Sequence, residues 1–435
     1  MWNIVSNACI IPQGKNMNEN KHLKHQLTER LSEGFSELSR ITDPRFNGWT
    51  RPAFTEVYNQ GRRWLRERMA DAGLETGMDA AANLIGRIAG EDPSLPPLII
   101  GSHTDTVRNG GRYDGIAGVL AGIEIARILS VHRIRLGHTL EIIDFTAEEP
   151  SEFGISTIGS KAVAGNLSED MLSLQDPAGR TLSQAIKAAG GSPENIPGMR
   201  RRQGDIAAYL ELHIEQGPIL EQTDNELGVV RGIVGIKRML VQVTGSPDHS
   251  GTTPMDLRRD SLAGAAEMVL SLEKLCRTAA PGTLVGTVGK IRVTPNAANV
   301  VAGVTELDVE IRSLDDELMN STMEDFLSDC SRISEQRGLS LFSRHMSHTM
   351  PVVIAPQMIE IARNACTRVE ARWMDLTSGA GHDANQIAYI APVGMLFIPS
   401  RGGRSHCPEE YTDIEQVVKG TEALLHCVRQ LDASV

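Results

Sequence analysis

The 435-residue sequence contains no run of roughly 18 or more apolar residues, so no segment is expected to cross a membrane as a helix. Its start has no basic front ahead of a long apolar centre, which argues against a secretory leader. Cysteine is sparse and scattered. The six residues Cys9, Cys276, Cys330, Cys366, Cys407 and Cys427 form no CxxC pair, so neither a disulfide framework nor a thiolate metal site is expected, and the thiols read as reduced in a cytoplasm. Positive charge is in deficit: 43 Lys and Arg against 55 Asp and Glu leave a net −12, which lacks the basic footprint of a nucleic-acid or anionic-membrane binder. Internal repeats and low-complexity stretches are absent too. What remains is a globular composition, 41% hydrophobic and 23% charged. The chain is long for one core, so two domains are expected, and its 41 glycines suit tight turns and close backbone approaches.

Periodicity outlines the architecture. Leu23, Leu27, Leu31, Phe35 and Leu38 recur at helical spacing, as do Val57, Trp64, Leu65 and Met69. Leu98-Ile99-Ile100 is a short apolar run ending at Gly101-Ser102-His103. Apolar residues from Ile116 to Ile128 mark a helix. Leu140 to Phe145 and Tyr209 to Ile214 are further buried strands, each running into His or Glu. Strands alternating with helices predict an α/β layer fold whose ligands gather beyond the carboxyl ends of the strands. Between 228 and 346 the texture changes to strands at 239–243, 286–293 and 305–311 around helices at 261–277 and 315–336. The expected parse is therefore a discontinuous catalytic domain, 20–227 plus 347–435, with an inserted α+β lid and dimerisation domain at 228–346, and an extension over residues 1–19.

The polar residues at the predicted strand ends are His103, Asp105, Asp114, Glu148, Glu149, His213 and His406. Imidazole with carboxylate and no thiolate is the donor mix of a divalent ion at a hydrolytic site. Each residue alone has an ordinary explanation: a lone histidine after a strand is more often structural, and a Glu-Glu pair is usually a solvated loop. Their joint placement beside glycines is what favours a site.

The strings GSHTDTV, GGRYDGIAGVLAGIE, AEEPSEFG, ELHIEQGPILE, DHSGTTPMDLRRD, PNAANVV, SGAGHDA and SHCPEEYT follow one another from about residue 25 to the C-terminus. In that order they resemble the amidase/hydantoinase/carbamoylase branch of the M20 metallopeptidase-like family. The resemblance implies two divalent ions (Zn, Mn, Co or Ni), one held by His103 and His213, the other by Glu149 and His406, with Asp114 bridging. It implies Glu148 as general base, Asp105 orienting His103, and His249 as hydrogen-bond donor to a developing oxyanion. Asn299 and Arg312 would grip a substrate carboxylate, with Gln216 and His382 positioning the substrate. The implied activity is hydrolysis of a small ureido or amide substrate bearing a carboxylate, foremost an N-carbamoyl-L-amino acid, by a cytoplasmic homodimer.

Specificity is less sharply drawn. The segment Glu148-Glu149-Pro150-Ser151-Glu152-Phe153 is closer to ureidoglycolate amidohydrolases, whereas Asp248-His249-Ser250-Gly251-Thr252-Thr253 is closer to carbamoylases. Glu152 stands where a basic residue is common in both. The alternative within the same chemistry is ureidoglycolate or allantoate amidohydrolysis. From another class, a catalytically silent metal- or ligand-binding protein would be expected to lack Glu148.

Overall fold

The computed structural model describes residues 17–280 and 282–433, with side chains from Lys21 onward, so residues 1–16 of the expected extension over 1–19 lie outside the described residues, while residues 17–19 begin the first helix. The chain is α/β throughout and divides into two compact units: one comprises the chain up to Arg231, Ile354–Leu376 and the segment from Gly381, the other Gly232–Val353 with Thr377–Ala380.

The first unit is built on a mixed sheet. Its centre is four parallel strands, 140–145, 98–103, 208–214 and 393–398, in that spatial order. Every residue of these four is buried, as predominantly apolar strands covered on both faces require, with the charged Glu141, Asp144 and Glu211 buried among them. Antiparallel strands flank them, 75–78 and 84–88 on one side and 227–233 on the other. The helix Ile116–Val131 packs on the sheet and is apolar almost all round, as a helix enclosed on every side must be. Helix Ile414–Asp432 adds Val417, Leu424, Leu425 and Val428 to the core, and the first helix buries Leu23, Leu27, Leu31, Phe35 and Leu38. Short helices between 158 and 199 form a separate cluster around Phe54, Phe153, Ile158, Leu182 and Ile186.

Register decides where the polar residues arrive. Leu98 pairs with Leu140 and His103 with Phe145, so the chain beyond Phe145 turns out level with His103. His213 pairs with Phe397, so the chain beyond Ile398 leaves level with His213. All four parallel strands thus end at one edge of the sheet.

The second unit is a four-stranded antiparallel sheet in the order 340–349, 235–244, 304–313, 284–294, with helices Ser261–Thr278 and Asp316–Gln336 contributing to its core. Strand 304–313 alternates strictly, burying Thr305, Leu307, Val309, Ile311 and Ser313. These meet Met268, Leu272, Met323 and Phe326 in a core of their own. The unit extends to Val353 because strand 340–349 pairs with 235–244 along its length. No described helix is long and apolar enough to cross a membrane.

Candidate metal and active site

His103 is the last residue of its strand, His213 the penultimate residue of its own, and Glu148 and Glu149 lie just beyond Phe145. Asp114 sits in the loop leading to helix 116–131, and His406 in the loop after strand 393–398. Gly115 lets these pieces converge. Its φ is +67°, and a Cβ there would lie 2.3 Å from His103 Nε2, so only glycine fits between the bridging loop and the imidazole.

Asp114 is the hub. Its Oδ1 lies 3.5 Å from His103 Nε2 and 3.2 Å from His213 Nε2, while its Oδ2 lies 3.4 Å from His406 Nε2. His406 Nε2 is in turn 3.1 Å from Glu149 Oε1. Three groups of donor atoms lie among the described residues, each with all its atoms within 4.8 Å of one another: Glu211–His213–His382, and two that include Asp114, His103–Asp114–His213 and Asp114–Glu149–His406. The latter two share Asp114, one carboxylate oxygen facing each group. That is the layout a bridging ligand needs.

The histidine tautomers suit this role. His103 Nδ1 lies 3.0 Å from the Asp105 carbonyl oxygen and His213 Nδ1 lies 2.9 Å from that of Ile214, so each donates from Nδ1 and turns the Nε2 lone pair inward. The Gly115 amide donates to His213 Nε2 at 3.1 Å, consistent with an unprotonated nitrogen there. Charge points the same way. Hydrogen bonds to Asp114 and then Glu149 push the His406 imidazole up to about 11. Burial opposes protonation of His103, yet Glu148, Asp114 and Asp105 outweigh it and hold that imidazole well above its usual range. The cluster therefore calls for positive charge at its centre, and His plus carboxylate is the donor set of borderline divalent ions. The residues fit divalent-ion binding.

Glu148 is buried and its Oε2 lies 3.6 Å from His103 Nε2, next to the cluster but in none of these donor groups. Burial drives its carboxyl well above the ordinary range, with Asp383, Glu149 and Asp105 adding to the effect against His103. Asp105 acts differently from the expectation. The Asp105 carbonyl, rather than its carboxylate, receives the His103 Nδ1 proton; the carboxylate oxygens accept the Glu148 and Glu149 amides at 3.2 and 3.1 Å. One side chain so fixes the backbone beneath both glutamates.

Gln216, in the left-handed region at φ +59°, donates from Nε2 to Asp114 Oδ2 at 2.6 Å, while its buried Oε1 has no hydrogen-bond partner among the described residues. His382 is buried with its ring edge-on to His213, centroids 4.6 Å apart. The next residue, Asp383, accepts the Ser160 hydroxyl proton at 2.5 Å. Sequence reasoning assigned no role to Glu410, although it lies in SHCPEEYT. Its carboxylate accepts the amides of Tyr113 and Asp114, at 2.9 and 3.0 Å.

His249, Asn299 and Arg312 belong to the second unit. His249 forms an isolated bridge with Val300, and the Ser250 amide donates to the Asn299 carbonyl at 3.0 Å, so the backbone brings His249 and Asn299 side by side. Both are exposed. Arg312, on strand 304–313, donates from Nε to Glu310 and from Nη1 to the Gly379 carbonyl, each at 2.6 Å. Glu310 also receives Arg238 at 2.6 Å.

The model of peptidase family M20/M25/M40 matches residues 99–430. The chain belongs to that family. Within this M20 group it is 39% identical to an N-carbamoyl-L-amino-acid amidohydrolase of Paenarthrobacter aurescens, over 94% of this chain and 99% of that one. It is 33% identical to a ureidoglycolate hydrolase of Arabidopsis thaliana, over 91% of this chain and 84% of the relative. Among solved structures, a hydantoinase/carbamoylase family amidase from Burkholderia multivorans superposes with a TM-score of 0.87 at 33% identity, covering 93% of this chain and 97% of that one. M20 membership agrees with the α/β sheet carrying an inserted α+β unit and with a hydrolase whose donor atoms gather at the strand ends.

Proposed function

We propose that this chain hydrolyses the linear C–N bond of an N-carbamoyl-L-amino acid, releasing the L-amino acid, carbon dioxide and ammonia. The observation that carries this is Asp114 shared between two donor groups, with Glu148 beside them and in neither. The similarity to the Paenarthrobacter aurescens relative supports the substrate class. In this reading His103 and His213 would hold one divalent ion and Glu149 and His406 the other, with Asp114 available to both. When bound, the ions supply Lewis acidity that brings water toward a neutral pKa and polarises the carbonyl.

Glu148 takes a proton from the attacking water as its oxygen adds to the ureido carbonyl carbon. His249 donates a hydrogen bond to the carbonyl oxygen as negative charge develops there. Asn299 and Arg312 hold the substrate carboxylate, the guanidinium bidentately. Glu148 returns its proton to the amino-acid nitrogen as the C–N bond breaks, and the carbamate left behind falls to carbon dioxide and ammonia. Gln216 and His382 keep the polar head and the His213 ring in place. The working form is a homodimer joined through the second unit, where the exposed edge strand 284–294 offers unpaired backbone groups.

The decisive test is amino-acid and ammonia release by the metal-free and the Mn- or Zn-loaded protein. The panel is N-carbamoyl-L-amino acids, one D-isomer, N-carbamoyl-β-alanine, ureidoglycolate, allantoate and a dipeptide. Metal-dependent turnover of an L-carbamoyl substrate with the D-isomer inert is expected. Turnover confined to ureidoglycolate or allantoate would replace the substrate and keep the site. Two bound ions with no turnover would leave a silent binding protein.

A further inference from the structure

Glu410 is 2% exposed, and all four of its hydrogen bonds at the site go to two loops. Oε1 accepts the Tyr113 and Asp114 amides at 2.9 and 3.0 Å; Oε2 accepts the Ser405 hydroxyl at 3.0 Å and the His406 amide at 3.3 Å. Ser405 Oγ also lies 2.7 Å from Asp114 Oδ2, so its one proton sits between two carboxylates. A Cβ on Gly111 would fall 1.9 Å from Glu410 Cδ, so the bridging loop admits this carboxylate only because glycine stands there.

On the two-ion reading above, we propose that Glu410 is a positioning residue that clamps the Asp114 loop to the His406 loop and thereby sets the affinity of the Glu149–His406 position. The geometry weights the effect toward that position, where Glu410 holds the backbone of both Asp114 and His406, whereas the first position shares only Asp114. His103 and His213 are oriented by the carbonyls of Asp105 and Ile214 and need nothing from Glu410. His406 has φ +56° in a loop without regular structure, so its backbone depends on such ties. The bridging carboxylate and His406 are 292 residues apart in sequence (406 − 114), and Glu410 ties the backbone of one to that of the other. Hydrogen-bond partners that orient metal ligands are worth roughly 10–100-fold in metal affinity.

The competing explanation is a residue that merely stabilises the fold, since the Glu410 amide also closes a turn onto the Cys407 carbonyl at 3.1 Å. That role would weaken both ions together. Ion stoichiometry separates the two. Mn²⁺ is titrated calorimetrically into the metal-free full-length protein, and bound Mn²⁺ is counted by mass spectrometry after dialysis. Glu410→Gln keeps the size but replaces one acceptor with a donor; Glu410→Asp keeps the charge but is too short to span both loops. Gly111→Ala expels the carboxylate without altering it.

All three are expected to bind the second ion roughly 10–100-fold more weakly while the first, which shares only Asp114, weakens distinctly less, with turnover recovered at high Mn²⁺. Wild-type affinity for both ions, or equal weakening of both, overturns the assignment, as does failure of both Glu410 variants to fold. A wild-type protein that takes fewer than two ions defeats the two-ion reading itself.

Discussion

Glu148 and Glu149 are neighbours on one loop, their amides held by the two oxygens of Asp105, yet their side chains take different directions. Glu149 reaches His406 at 3.1 Å, whereas Glu148 stands 3.6 Å from His103. On the proposed reading, a carboxylate beside the ions but not consumed by them is free to carry protons. Glu148→Gln is accordingly expected to keep two ions per subunit, counted by mass spectrometry, while kcat falls by roughly 10²–10⁴-fold, the usual weight of general acid–base catalysis. Unchanged turnover at full metal occupancy would remove Glu148 from the chemistry. His103, Glu149 and His213 were legible in the sequence because each stands at the end of a largely apolar run, and strand ends are where such sheets collect ligands; Asp114 and His406 lie in loops and were read from the family motifs. Glu410 was not. The partners on the Asp114 loop lie 296 and 297 residues away, and no local spacing encodes a contact closed by the fold. Asp105 was half legible: its place beside His103 could be read, but not that its carboxylate turns to another strand's loop.

Elements announced by a strong period are the ones the sequence revealed. Helices 17–40 and 116–131 and strands 98–103, 140–145 and 208–214 carry largely apolar or helically spaced apolar residues, and burial bears out each pattern. Strand 340–349 escaped because it is exposed along most of both faces, so Ser, Arg and His sit where alternation would show. Strand 75–78, a four-residue polar edge, escaped for the same reason. Helix 414–432 hides a titrating group. His426 is buried on it, and burial, with Arg368 and Arg429 adding their charge, lowers its imidazole from 6.5 to about 4. The folded state therefore keeps His426 neutral where the unfolded chain takes up a proton. Stability is present above the unfolded value and is lost as pH falls from about 6.5 toward 4. Between pH 7 and pH 5 this amounts to about 2 kcal/mol. Replacing His426 with Gln should flatten the loss of urea-unfolding free energy over that interval by a similar amount. Parallel slopes in the two proteins would show that His426 is not the group responsible.

At the scale of the whole molecule, the second unit has more apolar surface than its own core can use. Its helices and sheet enclose Met268, Leu272, Leu307, Val309, Ile311 and Phe326. Yet the edge strand 284–294 leaves Val285 57% and Ile291 50% exposed. An edge strand with open backbone groups and apolar side chains is a pairing surface unless something covers it. A second copy of this chain meets both demands, since two edges related by a twofold axis can extend one sheet into the other. Sedimentation should therefore give about twice the 47.3 kDa of one chain. Ile291→Glu places two charges near the axis while touching nothing in the core, so circular dichroism should be unchanged as the dimer dissociates to monomer. If the dimer persists through that change at micromolar concentration, the chains associate through some other surface; if the wild type sediments as a monomer, the edge is left open in solution and the pairing argument fails outright.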